Sequence, residues 1–307
     1  MESLVIKVPQ EKESSIVQEI LNNHLKTQGK LFRPYLTAKL AALFSLKEEE
    51  YYHISEAGEL IHNASLIHDD VVDQASLRRN RPTLNAHLPN SKAVLAGDYL
   101  LASVIANLVS IKKFDTLKTL AEVLEEMVEG EFIQDSLRHK ESVTKEDLLK
   151  VSSKKTGALI AWNCHSVAVT ANQSQEIANL CHKLGMKIGL AFQLYDDNID
   201  YSFESGKEYA KDLKEGLINF TTLNLIKLYP ELLYPVYQLR GQNFSFIPWN
   251  QHQIQKAVDT TKAEIDVIYQ EIYQLVDEIV ELAKIEKNGQ AYEDFITFLK
   301  LSEQRTK

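Results

Sequence analysis

Apolar residues recur at intervals of three and four along most of this chain. Leu117, Leu120, Ala121, Leu124, Met127 and Val128 form one stripe; Ile254, Val258, Ile265, Ile268, Ile272, Leu275, Ile279 and Leu282 form a longer one. That spacing collects side chains on one face of an α-helix. Strand-type alternation is hard to find, glycine is sparse, and no proline occurs between Pro89 and Pro230. The pattern predicts an all-α fold built from many helices.

The breaks are as readable as the stripes. Leu88-Pro89-Asn90-Ser91 is a loop leading into a helix, and residues 139–144 separate two helices. Thr144-Lys145-Glu146-Asp147 opens the second of these with acidic residues in its first turn. Residues 202–216 are polar, contain Gly206 and Gly216, and read as a loop, as do residues 240–249; Tyr229-Pro230 ends a helix. No linker or low-complexity stretch divides the chain, so residues 1–307 are expected to form a single domain.

Composition narrows the function classes. Hydrophobic content of 44% and charged content of 25% are ordinary for a soluble globular protein. A net charge of −9 argues against nucleic acid or an anionic membrane as partner. Cys164 and Cys181 form neither a disulfide framework nor a CxxC motif and read as buried, reduced thiols. The first ten residues lack the apolar core of a signal peptide. No apolar run reaches ~18 residues, so no transmembrane helix is expected, and a cytoplasmic location is.

Two acidic clusters then change the picture. His68-Asp69-Asp70-Val71-Val72-Asp73 and Tyr195-Asp196-Asp197-Asn198-Ile199-Asp200 share one form, and each follows an apolar run. On a helix, Asp69 and Asp73 share a face, as do Asp196 and Asp200. Carboxylates beside core-like sequence are costly without a compensating cation. A pair on one turn suits Mg²⁺, which takes one or two carboxylates and completes its shell with water and substrate phosphates. Capping of a solvated helix N-terminus is the plain alternative for one cluster. An EF-hand is excluded by the spacing. Basic residues supply the rest of a diphosphate site: Lys30 and Arg33 beside Pro34, Arg78 and Arg79 after the first cluster, and Lys154 and Lys155 before Thr156.

Taken in chain order, these residues resemble the trans-isoprenyl diphosphate synthase (polyprenyl synthetase) family. The resemblance runs from Gly29-Lys30-x-x-Arg33-Pro34 through His62-Asn63-Ala64-Ser65-Leu66-Ile67-His68-Asp69-Asp70-x-x-Asp73 and Leu77-Arg78-Arg79. It continues with Gly97-Asp98, Gly130-Glu131-x-x-Gln134, Lys155-Thr156-Gly157-Ala158-Leu159 and Phe192-Gln193-x-x-Asp196-Asp197-x-x-Asp200. It implies a helical bundle around a central cavity, with the acidic motifs on facing helices. It also implies the reaction: an allylic diphosphate ionises, isopentenyl diphosphate attacks the cation, and the departing diphosphate takes the proton. By the same resemblance Asp69, Asp70, Asp73, Asp196, Asp197 and Asp200 hold Mg²⁺. Arg78, Lys155 and Lys207 contact the allylic diphosphate; Lys30, Arg33, His62 and Arg79 hold isopentenyl diphosphate. Thr156 and Gln193 lie near the allylic cation, and a homodimer is expected.

The chain departs from the family where a phosphate-binding lysine is common: Leu217 stands there, with Lys211 and Lys214 as potential substitutes. Ala64 and Ser65, where short-chain members often carry an aromatic, are small, as are Ala102, Ser103 and Ala106 after Asp98. A long product of about C30–C40 is therefore expected, a farnesyl or geranylgeranyl product being the alternative. A terpene cyclase would not need Lys30, Arg33 and His62. Two further alternatives are the catalytic subunit of a heterodimer with a small partner, and a regulatory subunit that retains the motifs.

Overall fold

The computed structural model describes residues 17, 20, 21, 31–78, 81–202, 209–244 and 246–305. Helices dominate it: α1 (Phe32–Leu43), α2 (Glu48–Val72), α3 (Asn90–Ser110), α4 (Phe114–Leu137), α5 (Lys145–Ser152), α6 (Ala158–Thr170), α7 (Gln175–Ile199), α8 (Phe220–Leu228), α9 (Leu233–Leu239), α10 (Gln251–Leu282) and α11 (Gln290–Arg305). Several start where side chains satisfy the orphan amides of a first turn. In α5, the Asp147 N–H donates to Thr144 Oγ1 (3.2 Å) while Asp147 Oδ2 accepts from the Thr144 N–H (2.8 Å), a reciprocal capping box. Asn250 and Gln253 do the same for α10.

The bundle is organised around α6. Its sequence is apolar on nearly every side, so it must be surrounded, and it packs against α1, α2, α4 and α7. One polar residue in it, Asn163, is buried and donates to Thr37 Oγ1 and to the Ile54 carbonyl, both at 3.2 Å. Helix α7 in turn packs against α10, whose apolar stripe is largely buried.

The structure differs from the sequence reading in four places. Leu77–Arg78 and Arg81–Pro82 form a minimal antiparallel hairpin after α2. A single helical turn, Lys211–Lys214, stands within residues 202–216. The α4 stripe is only partly core: Leu120 is buried, but Ala121 and Val128 are exposed. Finally, α3 is long and apolar enough to cross a bilayer by length and composition, although Lys92 and Asp98 interrupt it. It packs along α2 as a bundle helix. Its outer face leaves Val94, Leu95, Ile105 and Val109 exposed.

Candidate active site

Both acidic clusters close a helix at its C-terminal end. Asp69 and Asp70 lie in the last turn of α2 with Asp73 as its cap; Asp196 and Asp197 lie in the last turn of α7 with Asp200 as its cap. The helical turn continues through each: the Asp73 N–H donates to the Asp69 carbonyl (2.8 Å) and the Asp200 N–H to the Asp196 carbonyl (3.2 Å). This excludes the capping alternative, which needs a helix N-terminus. Carboxylates are disfavoured at the negative end of the helix dipole, and neither last turn carries a basic residue.

The carboxylates have different surroundings. Asp70 is 2% exposed and accepts from Arg78 Nε at 2.8 Å. Asp197 is buried and accepts from Gln193 Nε2 (2.9 Å) and from the Phe220 N–H (2.8 Å). Asp200, also buried, accepts from the Lys211 N–H at 2.9 Å. Asp69 is half-buried, and Asp73 and Asp196 are exposed. Burial pushes the Asp69 carboxyl up to about 6, with Lys155 opposing and Glu131 and Asp73 adding to the rise. Burial, reinforced by Asp212, also holds Asp197 well above the ordinary carboxylate range.

The basic side of the site comes from a π-helical turn, Ser153–Gly157, between α5 and α6. Such turns are rare and concentrate at functional sites. This one packs against both α4 and α7. Gly130 on α4 permits the approach: a Cβ there would stand 2.8 Å from Lys154 Cβ and 2.9 Å from Lys155 Cγ. On the other side, a Cβ on Gly189 would meet Gly157 Cα at 2.6 Å. Lys155 pairs with Glu131, and Lys154 with Glu129 at 2.7 Å. Thr156 Oγ1 donates to Gln193 Oε1 at 3.0 Å, so a relay runs Thr156–Gln193–Asp197–Phe220.

These contacts bring the two clusters to one space. Lys155 influences Asp69, its neighbour Thr156 binds α7, and Lys211, beyond the second cluster, lies within electrostatic reach of Asp73. Among the described residues no three His, Cys, Asp or Glu side chains are gathered closely enough to hold a metal alone. The more open carboxylates of Asp69, Asp73 and Asp196 are oxygen donors of the kind a hard divalent cation takes.

Of the other sequence-predicted residues, Arg33 lies half-buried in the first turn of α1, beside Phe32, which packs edge-on against Phe192 of α7 at 4.3 Å. His62 is half-buried on α2, and its carbonyl accepts from Ser65 Oγ at 2.9 Å. Ala64 is fully buried. Ala102 and Ala106 are exposed rather than enclosed, and Ser103 bonds the Tyr99 carbonyl. Lys30, Arg79 and Lys207 lie outside the described residues. Arg138 was not singled out by the sequence. It caps α4, stands 3.9 Å from Asp73 and donates to the Glu215 carbonyl. No local motif marks it, because its role depends on a loop 77 residues away.

A sequence profile described as polyprenyl synthetase matches residues 14–244. The chain is 36% identical over 228 residues to the decaprenyl-diphosphate synthase of Dictyostelium discoideum, covering 73% of this chain and 50% of that protein. It spans about half the length of the first curated relatives it matches. Its fold is similar to the crystal structure of a decaprenyl diphosphate synthase from Rhodobacter capsulatus (TM-score 0.79, 23% identity, 97% of this chain and 92% of that one). It is also similar to a polyprenyl synthase from Caulobacter crescentus complexed with calcium and isoprenyl diphosphate (TM-score 0.77, 24% identity, 97% and 90%). With the motifs in family order along the sequence and the same bundle around them, the chain belongs to the polyprenyl synthetase family.

Proposed function

We propose that the protein is a trans-prenyltransferase that condenses isopentenyl diphosphate with an allylic diphosphate and makes a long-chain polyprenyl diphosphate of about C30–C40. The observation that carries this reading is the pair of acidic clusters at two helix C-termini, with Lys155 and Thr156 on the π-helical turn between them. Relatives named decaprenyl- and solanesyl-diphosphate synthases support the long product.

In this reading Asp69 and Asp73 from the first cluster and Asp196 from the second, whose environments are the more open, are the foremost Mg²⁺ ligands. Asp70, Asp197 and Asp200 orient the site from behind. Bound Mg²⁺ supplies charge neutralisation for the diphosphate as its bond to the allylic carbon breaks. Lys155 moves from Glu131 to the leaving phosphate oxygens, and Arg78, aligned by Asp70, meets them from the hairpin. Thr156 Oγ1 keeps its proton in a hydrogen bond to Gln193 Oε1, so its oxygen lone pairs are left for the developing allylic cation. Arg33 and His62, with Lys30 and Arg79, hold isopentenyl diphosphate; the departing diphosphate takes the proton.

The small residues Ala64 and Ser65 leave room for a growing chain. A second copy of the chain would cover the apolar outer faces of α3 and α4, where Leu95, Val128 and Phe132 (74% exposed) stand out. We therefore propose a homodimer, which light scattering of the purified protein would test, in a protein whose expected location is the cytoplasm.

The reaction is tested by incubating the protein with farnesyl diphosphate, isopentenyl diphosphate and Mg²⁺ and measuring product length. C30–C40 products are expected, and Ala64→Phe should shorten them. Termination at C15 or C20 would refute the long-chain reading, and no condensation would refute the activity.

A further inference from the structure

We propose that Phe298 is a positioning residue for isopentenyl diphosphate: from α11, its ring sets Phe32 and so the place of Arg33 at the start of α1. This rests on the prenyltransferase reading above, in which Arg33 holds that substrate.

Helix α1 begins under strain. Leu31, just before it, has φ 50° and ψ 40°, left-handed values that crowd a leucine Cβ against the following carbonyl oxygen. Its carbonyl nonetheless accepts from the Tyr35 N–H at 3.0 Å, the first bond of the helix. A strained residue keeps its conformation only where its surroundings over-determine it, so the start of α1 must be held from outside. On one side Thr37 Oγ1 donates to the Arg33 carbonyl at 2.9 Å and accepts from Asn163 of α6 at 3.2 Å. Phe32 supplies the rest. Its ring meets Phe192 of α7 edge-on at 4.3 Å and stacks on Phe298 of α11 at 5.4 Å, with the planes 24° apart. Both are favourable ring geometries, so Phe32 is clamped between two helices distant from it in sequence. Arg33 follows Phe32 directly, and Gln193 follows Phe192.

Other contacts of α11 do not explain this clamp. Lys39 of α1 pairs with Asp294 at 2.8 Å, but the side chains are 33% and 42% exposed, and so open a pair contributes little. Phe295 and Leu299 are fully buried and seat α11 in the core. Among the described residues Phe295 makes no ring contact, whereas Phe298, half-buried, turns its ring to Phe32. Helix α11 also lies beyond residues 14–244, which the polyprenyl synthetase profile matches, so no motif marks the role.

The test compares wild type with Phe298→Leu, Phe298→Tyr, Phe295→Leu, Phe32→Leu and the double variant Phe32→Leu/Phe298→Leu. Each is measured for its KM and, by calorimetry, its Kd for isopentenyl diphosphate, for its allylic KM and for its Tm. A shift of about 1 Å in a substrate-positioning group can cost up to ~100-fold, so Phe298→Leu should weaken isopentenyl diphosphate by about 5- to 20-fold while the allylic KM hardly moves. Phe298→Tyr keeps the ring and should stay near wild type. Phe295→Leu should lower the Tm at least as far and leave the affinity for isopentenyl diphosphate unchanged. Because Phe298 acts through Phe32, the double variant should bind no more weakly than Phe32→Leu alone. Unchanged affinity in Phe298→Leu, an equal loss in Phe295→Leu, or full additivity in the double variant would each overturn the assignment. A wild type that condenses normally beside an indifferent Phe298→Leu refutes only this proposal. A wild type that binds isopentenyl diphosphate but never condenses refutes the reading beneath it, and the Kd series still decides the role of Phe298.

Discussion

The two acidic clusters share a spacing and a position at the end of a helix, yet their carboxylates are engaged differently. In the first, Asp70 is held tightly by Arg78, at 2.8 Å. Asp69 and Asp73 face the shared space, with Arg138 standing 3.9 Å from Asp73. In the second, Asp197 holds the Phe220 N–H and Asp200 holds the Lys211 N–H, so two of three carboxylates latch the segment that follows α7. The same motif therefore does two jobs. In the proposed reading one copy is chiefly a ligand set, and the other is a ligand set joined to a structural clasp.

That difference can be broken apart by substitution. Asp69→Asn should lower kcat/KM the most, by about 10²- to 10³-fold, as loss of a group that stabilises developing charge does. It should leave thermal stability unchanged or slightly raised, since a neutral amide is easier to bury at that helix end. Asp197→Ala should lower activity and also destabilise by about 2–3 kcal/mol, because the Phe220 N–H and the Gln193 amide lose their acceptor in a buried place. Asp197→Asn keeps an acceptor for Phe220 and should regain most of the stability without the activity. A thermal melt beside each rate measurement separates the two; equal destabilisation by Asp69→Asn and Asp197→Ala would erase the distinction.

Proton linkage sharpens it. The folded state raises the Asp69 carboxyl from near 4 to about 6. Its contribution to metal-free stability is therefore complete below pH 4 and is lost as pH rises through 6, by at most about 3 kcal/mol. A metal ligand must be deprotonated, so Mg²⁺-dependent pyrophosphate binding should weaken as pH falls through 6. Asp69→Asn should flatten both dependences; melts and calorimetry across pH 4–8 would show it. The smallest expected effect is Thr156→Val, which removes one hydrogen bond to Gln193 and should cost about 1 kcal/mol of stability, with a larger fall in kcat than in substrate affinity.

Much of this architecture was legible in the sequence. The α10 stripe, the helix start at Thr144 and the breaks at residues 139–144 and at Pro230 all came from local rules, because helix periodicity and first-turn preferences are short-range. The acidic clusters were legible for the same reason: i and i+4 on one helix is local geometry. Their different engagement was not, because the acceptors of Asp197 and Asp200 are satisfied from residues 11 to 23 positions away. The π-helical turn was hidden too. Ser153–Gly157 has no distinctive composition, and the form is permitted by Gly130 and Gly189 on neighbouring helices. Periodicity also overstated the α4 core, since the stripe continues past the residues that its neighbours cover. Val128 and Phe132 face outward.

In the proposed reading the acidic clusters and the basic set around Arg33 and His62 act together as one condensing site. The most direct measurement is pyrophosphate release from an allylic diphosphate with Mg²⁺, with and without isopentenyl diphosphate. The account predicts negligible release without isopentenyl diphosphate and, with it, one pyrophosphate per five-carbon unit incorporated. Rapid release from the allylic diphosphate alone, giving a hydrocarbon or alcohol, would contradict it and make the site one for a single diphosphate.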